Sequence, residues 1–292
     1  MKKVFVGRSF LYLLFCSIFN FACGQSLQQS KILKSEQFRQ GREAEISSRS
    51  CEEFGKDGAF YKRPLVDVLN AIPMKIREFM RQHHFGYFHD KWHTTHSWDN
   101  RMIVRPLAKL RATCSGWERF PRQMGQEGSG LDFLAMHRLM VQMMRQHFPE
   151  DSDLFVGWPD VPVDPYDAQN PLPSLLKLPF SPLQLKNLDR LKNDLGSFAT
   201  DDELGRFLWT NLTSQPALEP GSIHFYLHAR WADFSSDVNL ADEVVNIENI
   251  YFWRLHGWID HVWSQFRAGK GLSENDPTYQ GAMSQAGREM EH

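Results

Sequence analysis

Residues 131–147 carry the sequence LDFLAMHRLMVQMMRQH, and the expected fold class follows from this stretch. Its apolar residues recur at intervals of three and four, which predicts a helix with one apolar side. Phe148 and Pro149 end the pattern, since proline cannot continue a helix. His137 lies in the middle of the apolar side, so we expect this helix to carry an imidazole into the core.

The same periodicity continues outward from this helix in both directions. It predicts further helices at 64–80, 103–117, 181–195, 201–212, 224–231 and 247–266. Eight prolines interrupt residues 149–182, which we interpret as an extended crossing loop. We find no alternating strand pattern longer than six residues. The chain is therefore predicted to be mainly α, as a helical bundle with long irregular loops.

The composition excludes several classes of protein. The chain has 292 residues with 33 Lys+Arg and 35 Asp+Glu, and a net charge of −2 does not suit a nucleic-acid binder. A hydrophobic content of 42% excludes a disordered chain. We find no P-loop, no dinucleotide-binding fingerprint, no zinc-protease signature and no serine-hydrolase elbow. The 12 histidines are the remaining source of chemistry.

The first 24 residues have the pattern of an export signal. Basic residues precede an apolar stretch, and Ala22-Cys23-Gly24 offers the small residues that a signal peptidase requires. We expect a signal peptide over 1–24, an amino-terminal arm over 25–60 and a single domain over 61–292. The protein would be secreted or periplasmic, with lipoprotein anchoring at Cys23 as the alternative. No segment approaches the roughly 20 apolar residues of a transmembrane helix.

Two cysteines remain after the predicted signal peptide, Cys51 and Cys114. In an oxidising compartment two cysteines most simply form one disulfide. We therefore expect a bond that ties the arm to a helix.

Two His-x-x-x-His pairs occur, His89/His93 and His224/His228. On a helix, residues four apart project from the same face, so each pair can hold one metal ion. A third imidazole from another helix would complete each set, and His137 and His256 are candidates because they lie in apolar helices. Imidazole ligands suit zinc, copper, iron and nickel, so the spacing leaves the metal open.

The carboxy-terminal pattern resembles the second copper motif of the tyrosinase, catechol oxidase and hemocyanin family. His224-Phe-Tyr-Leu-His228 is followed by Phe252-Trp-Arg-Leu-His256-Gly-Trp-Ile-Asp260. The resemblance implies that His224, His228 and His256 hold one copper, and Asp260 matches an Asp of the family motif. Asn249 and Ile250 stand where that motif has Asp-Pro, and Leu255 replaces the first His of its doublet.

A second match resembles the family's first copper site. Phe133-Leu-Ala-Met-His137-Arg138 is similar to the family's Phe-Leu-Pro-Trp-His-Arg, which implies His137 as a ligand. The family has another histidine nine residues earlier, where this chain has Gly128. The other two ligands would come from a cluster of five histidines: His83, His84, His89, His93 and His96. We favour His89 and His93, whose spacing copies the second pair, and His96 is the nearest competitor. We interpret His147, His261 and His292 as non-ligands.

The resemblance implies two copper ions and the oxidation of o-diphenols to quinones with dioxygen. No catalytic residue beyond the metal ligands and no organic cofactor is implied, and the partners would be a small phenol and dioxygen. In this family an Asn after the first second-site His is associated with monophenol hydroxylation. This chain has Phe225 there, so we expect diphenol oxidation to exceed hydroxylation.

Several side chains are candidates for supporting roles. Aromatic residues near the histidines would form pocket walls or ordinary core: Trp92, Phe133, Phe225, Trp253 and Trp258. Asp260 would orient a metal-bound histidine or form a surface salt bridge.

The sequence is compatible with an enzyme and with a protein that only binds metal. The sequence favours a copper-dependent phenol or diphenol oxidase. The alternatives are a catalytically silent or single-metal homologue and an exported module that binds metal or dioxygen. The oligomeric state is not predicted.

Overall fold

Helices make up most of the chain that the computed structural model describes, namely residues 51–56, 58–99, 106–164, 180–210, 222–233 and 235–291. The α-helices in these ranges are α1 (Met74–Gln82), α2 (Phe85–His96), α3 (Pro106–Cys114), α4 (Ser129–His147), α5 (Pro182–Asn193), α6 (Asp201–Trp209), α7 (Ile223–Arg230), α8 (Ile250–Gly269) and α9 (Pro277–Glu291). Short 3-10 turns lie at Cys51–Glu53, Ala59–Lys62, Pro149–Phe155, Leu195–Ser197 and Asn246–Glu248. Within these ranges the only strand-like pairing is an isolated antiparallel bridge between Ala71 and Asn249. The predicted mainly α fold is confirmed.

Helix α4 is the centre of the bundle. It packs against α6, α8, α9 and the turn Pro149–Phe155. Its first ten residues are all buried, and three later apolar residues, Met140, Val141 and Met144, are buried as well. A helix covered on this many sides must be apolar over much of its circumference, which the sequence of residues 131–144 supplies.

The backbones of α4 and α6 touch at a pair of glycines. A Cβ on Gly205 would lie 2.0 Å from the carbonyl oxygen of Gly130, so only hydrogen fits there. The backbone N–H of Gly130 also donates to Asp202 Oδ1 at 2.8 Å. This close approach lets Trp209, at the far end of α6, stack on Phe133 of α4 with ring centroids 5.4 Å apart.

Side-chain caps fix the starts of the two carboxy-terminal histidine helices. Ser222 Oγ accepts a hydrogen bond from the backbone N–H of Phe225 at 3.0 Å, which begins α7. Asn249 Oδ1 accepts one from Tyr251 at 2.9 Å, which begins α8. Such caps contribute about 1 kcal/mol each by pairing amides that the helix leaves free.

Most of the predicted helices are present, with ends that differ from the predictions by three residues or fewer in the described ranges. The helix predicted at 64–80 is wrong in its first part, because residues 64–73 are not helical and α1 begins after Pro73. Ile72 precedes Pro73, and the helical conformation is unfavourable for a residue before proline. Its N–H instead donates to the carbonyl of Glu248 at 2.9 Å. Leu69 is 76% exposed, so the apolar spacing there does not face the core.

Helix α9 was not predicted. Its start carries a signal that could have revealed it, because Asp276 precedes Pro277 and its carboxylate accepts hydrogen bonds from the N–H groups of Thr278 and Tyr279. The helix packs against α4 and α2 and places Tyr279 in the core.

Residues from Cys51 onward belong to one compact unit. The predicted signal peptide and residues 25–50 of the predicted arm lie outside the described residues. The last part of the arm packs through Phe54 against Val244 and Val245. In the described part of the chain, no helix has both the length and the apolarity needed to cross a membrane.

The expected disulfide between Cys51 and Cys114 is confirmed. It joins the first 3-10 turn to the end of α3 across a sequence separation of 63 residues. Closing a loop of this length removes conformational freedom from the unfolded chain.

We expect replacement of both cysteines by serine to lower the free energy of unfolding by about 2–4 kcal/mol, because the unfolded chain regains that freedom. Urea unfolding of the double variant and the wild type would measure the difference. Wild type treated with a reductant serves as the control and should lose a similar amount. Equal stability of oxidised and reduced protein would contradict a structural role for this bond.

Candidate metal centre

Four helices carry the six histidines that the sequence singled out. Helix α2 contributes His89 and His93, and α4 contributes His137. Helix α7 contributes His224 and His228, and α8 contributes His256. All six side chains are buried.

The structure brings these six rings into one cluster. Two sets of three have ligand nitrogens that lie within 4.8 Å of one another. The first set is His89, His93 and His137, and the second is His137, His224 and His256. His228 joins the second set through His224, because their Nε2 atoms are 3.1 Å apart. Both histidines predicted for α2 therefore lie beside His137.

Two histidines are oriented by their own helices. His137 Nδ1 lies 2.8 Å from the carbonyl oxygen of Phe133, and His256 Nδ1 lies 2.7 Å from that of Phe252. A carbonyl only accepts, so each Nδ1 must carry the proton. In the neutral ring, the Nε2 atom then presents a lone pair to the cluster.

Two further histidines are oriented by a loop. His89 Nδ1 donates to the carbonyl of Glu243 at 2.8 Å, and His228 Nδ1 donates to that of Leu240 at 2.7 Å. The Nδ1 atoms of His93 and His224 are buried with no partner among the described residues. The two predicted triads therefore have the same pattern of hydrogen bonds. In each, one histidine is oriented by the loop, one is oriented by its own helix, and one has an Nδ1 atom without a described partner.

The facing nitrogens form an arrangement that a cation would stabilise. His224 Nε2 lies 3.1 Å from the Nε2 atoms of both His228 and His256, and those two nitrogens have no proton while neutral. A single proton on His224 can serve only one of them. The Nε2 atoms of His89 and His137 are also buried without a partner in the described structure. Metal–nitrogen bonds of 2.0–2.1 Å at tetrahedral angles place ligand atoms about 3.3 Å apart, close to the two 3.1 Å separations at His224.

Burial keeps these imidazoles neutral. It lowers the pKa of His89 to about 3 and that of His228 to about 4. Burial, together with repulsion from neighbouring imidazoles, holds the pKa of the other four well below the usual value of 6.5. Metal ligands must be deprotonated, so the site is ready to bind an ion at neutral pH.

The other candidate histidines lie outside the cluster. His96 stacks between Trp92 and Phe120, its Nδ1 donates to the Trp92 carbonyl, and its Nε2 faces Glu289 at 3.8 Å. His83 is exposed, and His84 precedes the first residue of α2 with a left-handed backbone. The predicted non-ligands His147 and His261 are exposed, whereas His292 lies outside the described residues.

Asp260 does not contact a histidine of the cluster by any described hydrogen bond. Its carboxylate accepts from Arg138, the residue after His137, and the Arg138 guanidinium also donates to Ser264. Asp260 therefore forms a salt bridge, as in the second alternative, but the pair is largely buried and not at the surface, and it fixes α8 against α4 beside the site.

Aromatic rings surround the cluster, but not all are those that the sequence suggested. Phe133 lies 4.5 Å from His137, and Trp92 lies 5.0 Å from His93 between ring centroids. Phe252, which was not predicted, is 3.9 Å from His256 and 5.1 Å from His89. Its position four residues before His256, on the same helical face, is the signal that could have found it.

Three other aromatic residues differ in how they lie relative to the histidine cluster. Trp209, also not predicted, packs on Phe133 and lies 6.4 Å from His93. Trp253 points elsewhere, because its indole N–H donates to the carbonyl of Ile247 and its ring packs on Phe155. Phe225 is half-buried with its ring 5.1 Å from that of His224.

The lowered pKa values predict that the metal-free protein loses stability in acid. Unfolded histidines take up protons below pH about 6.5 while the folded ones do not, so the free energy of unfolding should fall from pH 6.5 towards pH 4. Each histidine contributes about 1.4 kcal/mol per pH unit in that window. Urea unfolding at pH 7.5, 6 and 5 would measure how steeply the free energy of unfolding depends on pH. His89→Gln removes one histidine and should reduce that slope by about 1.4 kcal/mol per pH unit. A level or rising stability below pH 6.5 would contradict this assignment of charge.

Comparison of the chain with protein-family models, with curated proteins and with solved structures gave no match in any of the three.

Proposed function

We propose that this protein is an exported copper oxidoreductase with a binuclear centre, which oxidises o-diphenols or related phenols to quinones with dioxygen. One observation carries the proposal: buried histidines from four helices form two sets of three whose ligand nitrogens lie within 4.8 Å of one another, and His228 adjoins the second set through His224. The resemblance of the histidine motifs to the tyrosinase family supplies the choice of copper and of phenolic substrates. The disulfide is compatible with an exported protein.

His89, His93 and His137 would hold one copper, and His224, His228 and His256 the other. The two triads adjoin where the ring of His137 stacks on that of His256, with centroids 4.3 Å apart. The ring contact would bring the two ligand sets together in one buried cluster.

The donor set distinguishes this site from other metal centres of helical bundles. Di-iron and di-manganese sites in such bundles are built from glutamates together with histidines. Both sets of three found here consist of histidines alone. An all-imidazole set favours copper or zinc over the harder ions that prefer carboxylates.

Copper supplies the redox chemistry when it is bound. Two diphenols release four electrons and four protons to one dioxygen, which gives two quinones and two water molecules. The chain itself holds the ligands in place and excludes water with Phe133, Trp209 and Phe252. His93 and His228 are each 7% exposed, more than the other four, so we infer that a phenol approaches from their side.

A second candidate function is a single-metal or catalytically silent homologue. His137 belongs to both sets of three, and this sharing favours one ion over two. The number of ions bound separates the two candidates directly.

We expect two coppers per chain after reconstitution and a near-ultraviolet absorption band that disappears under argon. His137→Gln and His224→Gln should each lose at least one copper and the band, because each removes a ligand. His96→Gln is the matched control, since this buried histidine lies outside the cluster, and it should keep both. One copper or none in the wild type, without an oxygen-dependent band, would favour the single-metal alternative.

We expect the wild type to oxidise a diphenol faster than it hydroxylates the matching monophenol, and Phe225→Asn to shift this ratio towards the monophenol. An amide can hydrogen-bond a phenolic hydroxyl, whereas a phenyl ring cannot. Initial rates on the two substrates would measure the ratio. Phe225→Leu, which stays apolar, should leave it unchanged, and a similar shift in both variants would contradict a hydrogen-bonding effect.

A further inference from the structure

One loop orients a histidine in each of the two triads. The carbonyl oxygens of Leu240 and Glu243, three residues apart, accept the Nδ1–H groups of His228 and His89 respectively. These histidines belong to different helices and to different proposed copper sites. Any movement of the loop therefore acts on both sites.

The loop has the bonding of a rigid unit. We name its residues 238–249 the positioning segment. Consecutive turns run through the segment: the N–H groups of five residues donate to carbonyls three or four residues earlier, namely those of residues 242, 245, 246, 248 and 249. The buried side chain of Asn249 donates to the carbonyl of Val238 at 2.8 Å and so joins the two ends. The indole N–H of Trp253 holds the carbonyl of Ile247 at 2.7 Å.

A buried ion-pair network fixes the positioning segment to the amino-terminal half of the chain. Glu248 accepts from Arg77 Nε at 2.8 Å and from Arg81 at 2.5 Å, both on α1. The N–H of Ile72 donates to the Glu248 carbonyl, and the N–H of Ile250 donates to the carbonyl of Asn70. These contacts hold the carboxy-terminal end of the segment against α1 and the residues just before it.

We propose that residues 238–249 position both triads together, so that disturbing this one segment misorients His89 and His228 at the same time. The inference rests on the proposed function only in its assignment of these histidines to two metal sites. The coupling itself is a property of the metal-free chain, where it can be measured.

The contact at Gly86 offers a way to disturb the segment. Gly86 lies in α2, one turn before His89, and a Cβ there would lie 2.2 Å from the carbonyl oxygen of Val244. A normal carbon–oxygen contact is about 3.3 Å, so Gly86→Ala must push the segment away. Gly281→Ala is the matched control, because it makes the same change in a helix with open space around it.

The readout is the tautomer of each histidine in the metal-free protein, measured by ¹⁵N NMR of the imidazoles and assigned with single His→Gln variants. In the wild type and in Gly281→Ala, we expect His89 and His228 to be protonated at Nδ1. In Gly86→Ala both should lose this signature together. His137 and His256, which donate to carbonyls of their own helices, should keep it.

The other outcomes would overturn the proposal. A change at His89 alone would show that the two carbonyls move independently, and no change at either would show that the segment does not position the rings. If Gly86→Ala does not fold, Asp242→Ala is the second variant. Asp242 lies between the two carbonyl-bearing residues, and its half-buried carboxylate accepts a hydrogen bond from the N–H of Val244. The same paired change is expected there.

Copper titration gives a second readout. Loss of an orienting partner typically weakens metal binding 10–100-fold, so Gly86→Ala should weaken binding at both sites by about this factor. A loss at one site only would contradict the coupling. If the wild type binds no copper, the proposed function fails, whereas the paired tautomer change still tests the positioning segment.

Discussion

The rest of this structure depends on the convergence of neutral imidazole nitrogens in a dry core. Bulk solvent does not reach the buried nitrogens, and a buried polar atom without a partner costs about 1–3 kcal/mol. His224 Nε2 lies 3.1 Å from the Nε2 atoms of both His228 and His256, and while the rings are neutral at most one proton lies between the three nitrogens. Such a cluster is stable only if its surroundings hold the rings in place and a cation or a shared proton occupies the gap.

Several independent contacts within the helical bundle hold the histidine rings in place. The glycine contact between α4 and α6 brings Trp209 and Phe133 against the site, and the Arg138–Asp260 ion pair fixes α8 to α4. Backbone carbonyls orient four of the six rings and determine which nitrogen faces inward. Burial then lowers the pKa values, so the same desolvation that makes the cluster costly keeps its lone pairs available for a metal.

Helical periodicity was enough to predict the fold class and most of the helices, and the His-x-x-x-His spacing, together with the family resemblance, indicated six histidines that the structure brings into one cluster. Both signals are local, because apolar spacing reports the buried face and residues four apart share it. The false helix at 64–73 and the missed α9 show the limit of such patterns. Leu69 follows helical spacing but lies beside a backbone bridge on the surface, and α9 has too few large apolar residues to show a clear face.

The orienting partners were beyond sequence reasoning for a different reason. They are backbone carbonyls, which every residue carries, so no residue type marks Leu240 or Glu243 as the partner of a histidine. Only the path of the chain brings them there.

That path also explains an asymmetry between the two histidine pairs. In α2 the first histidine of the pair, His89, meets the loop, whereas in α7 it is the second, His228. Residues 231–249 leave the end of α7 and return to the start of α8, so they must pass close to the last turn of α7. They also contact the start of α2, where Gly86 meets Val244. A connection of this length is unusual between adjacent helices unless it has a task of its own. The loop touches the start of α2 and the end of α7, and it therefore orients one histidine of each pair.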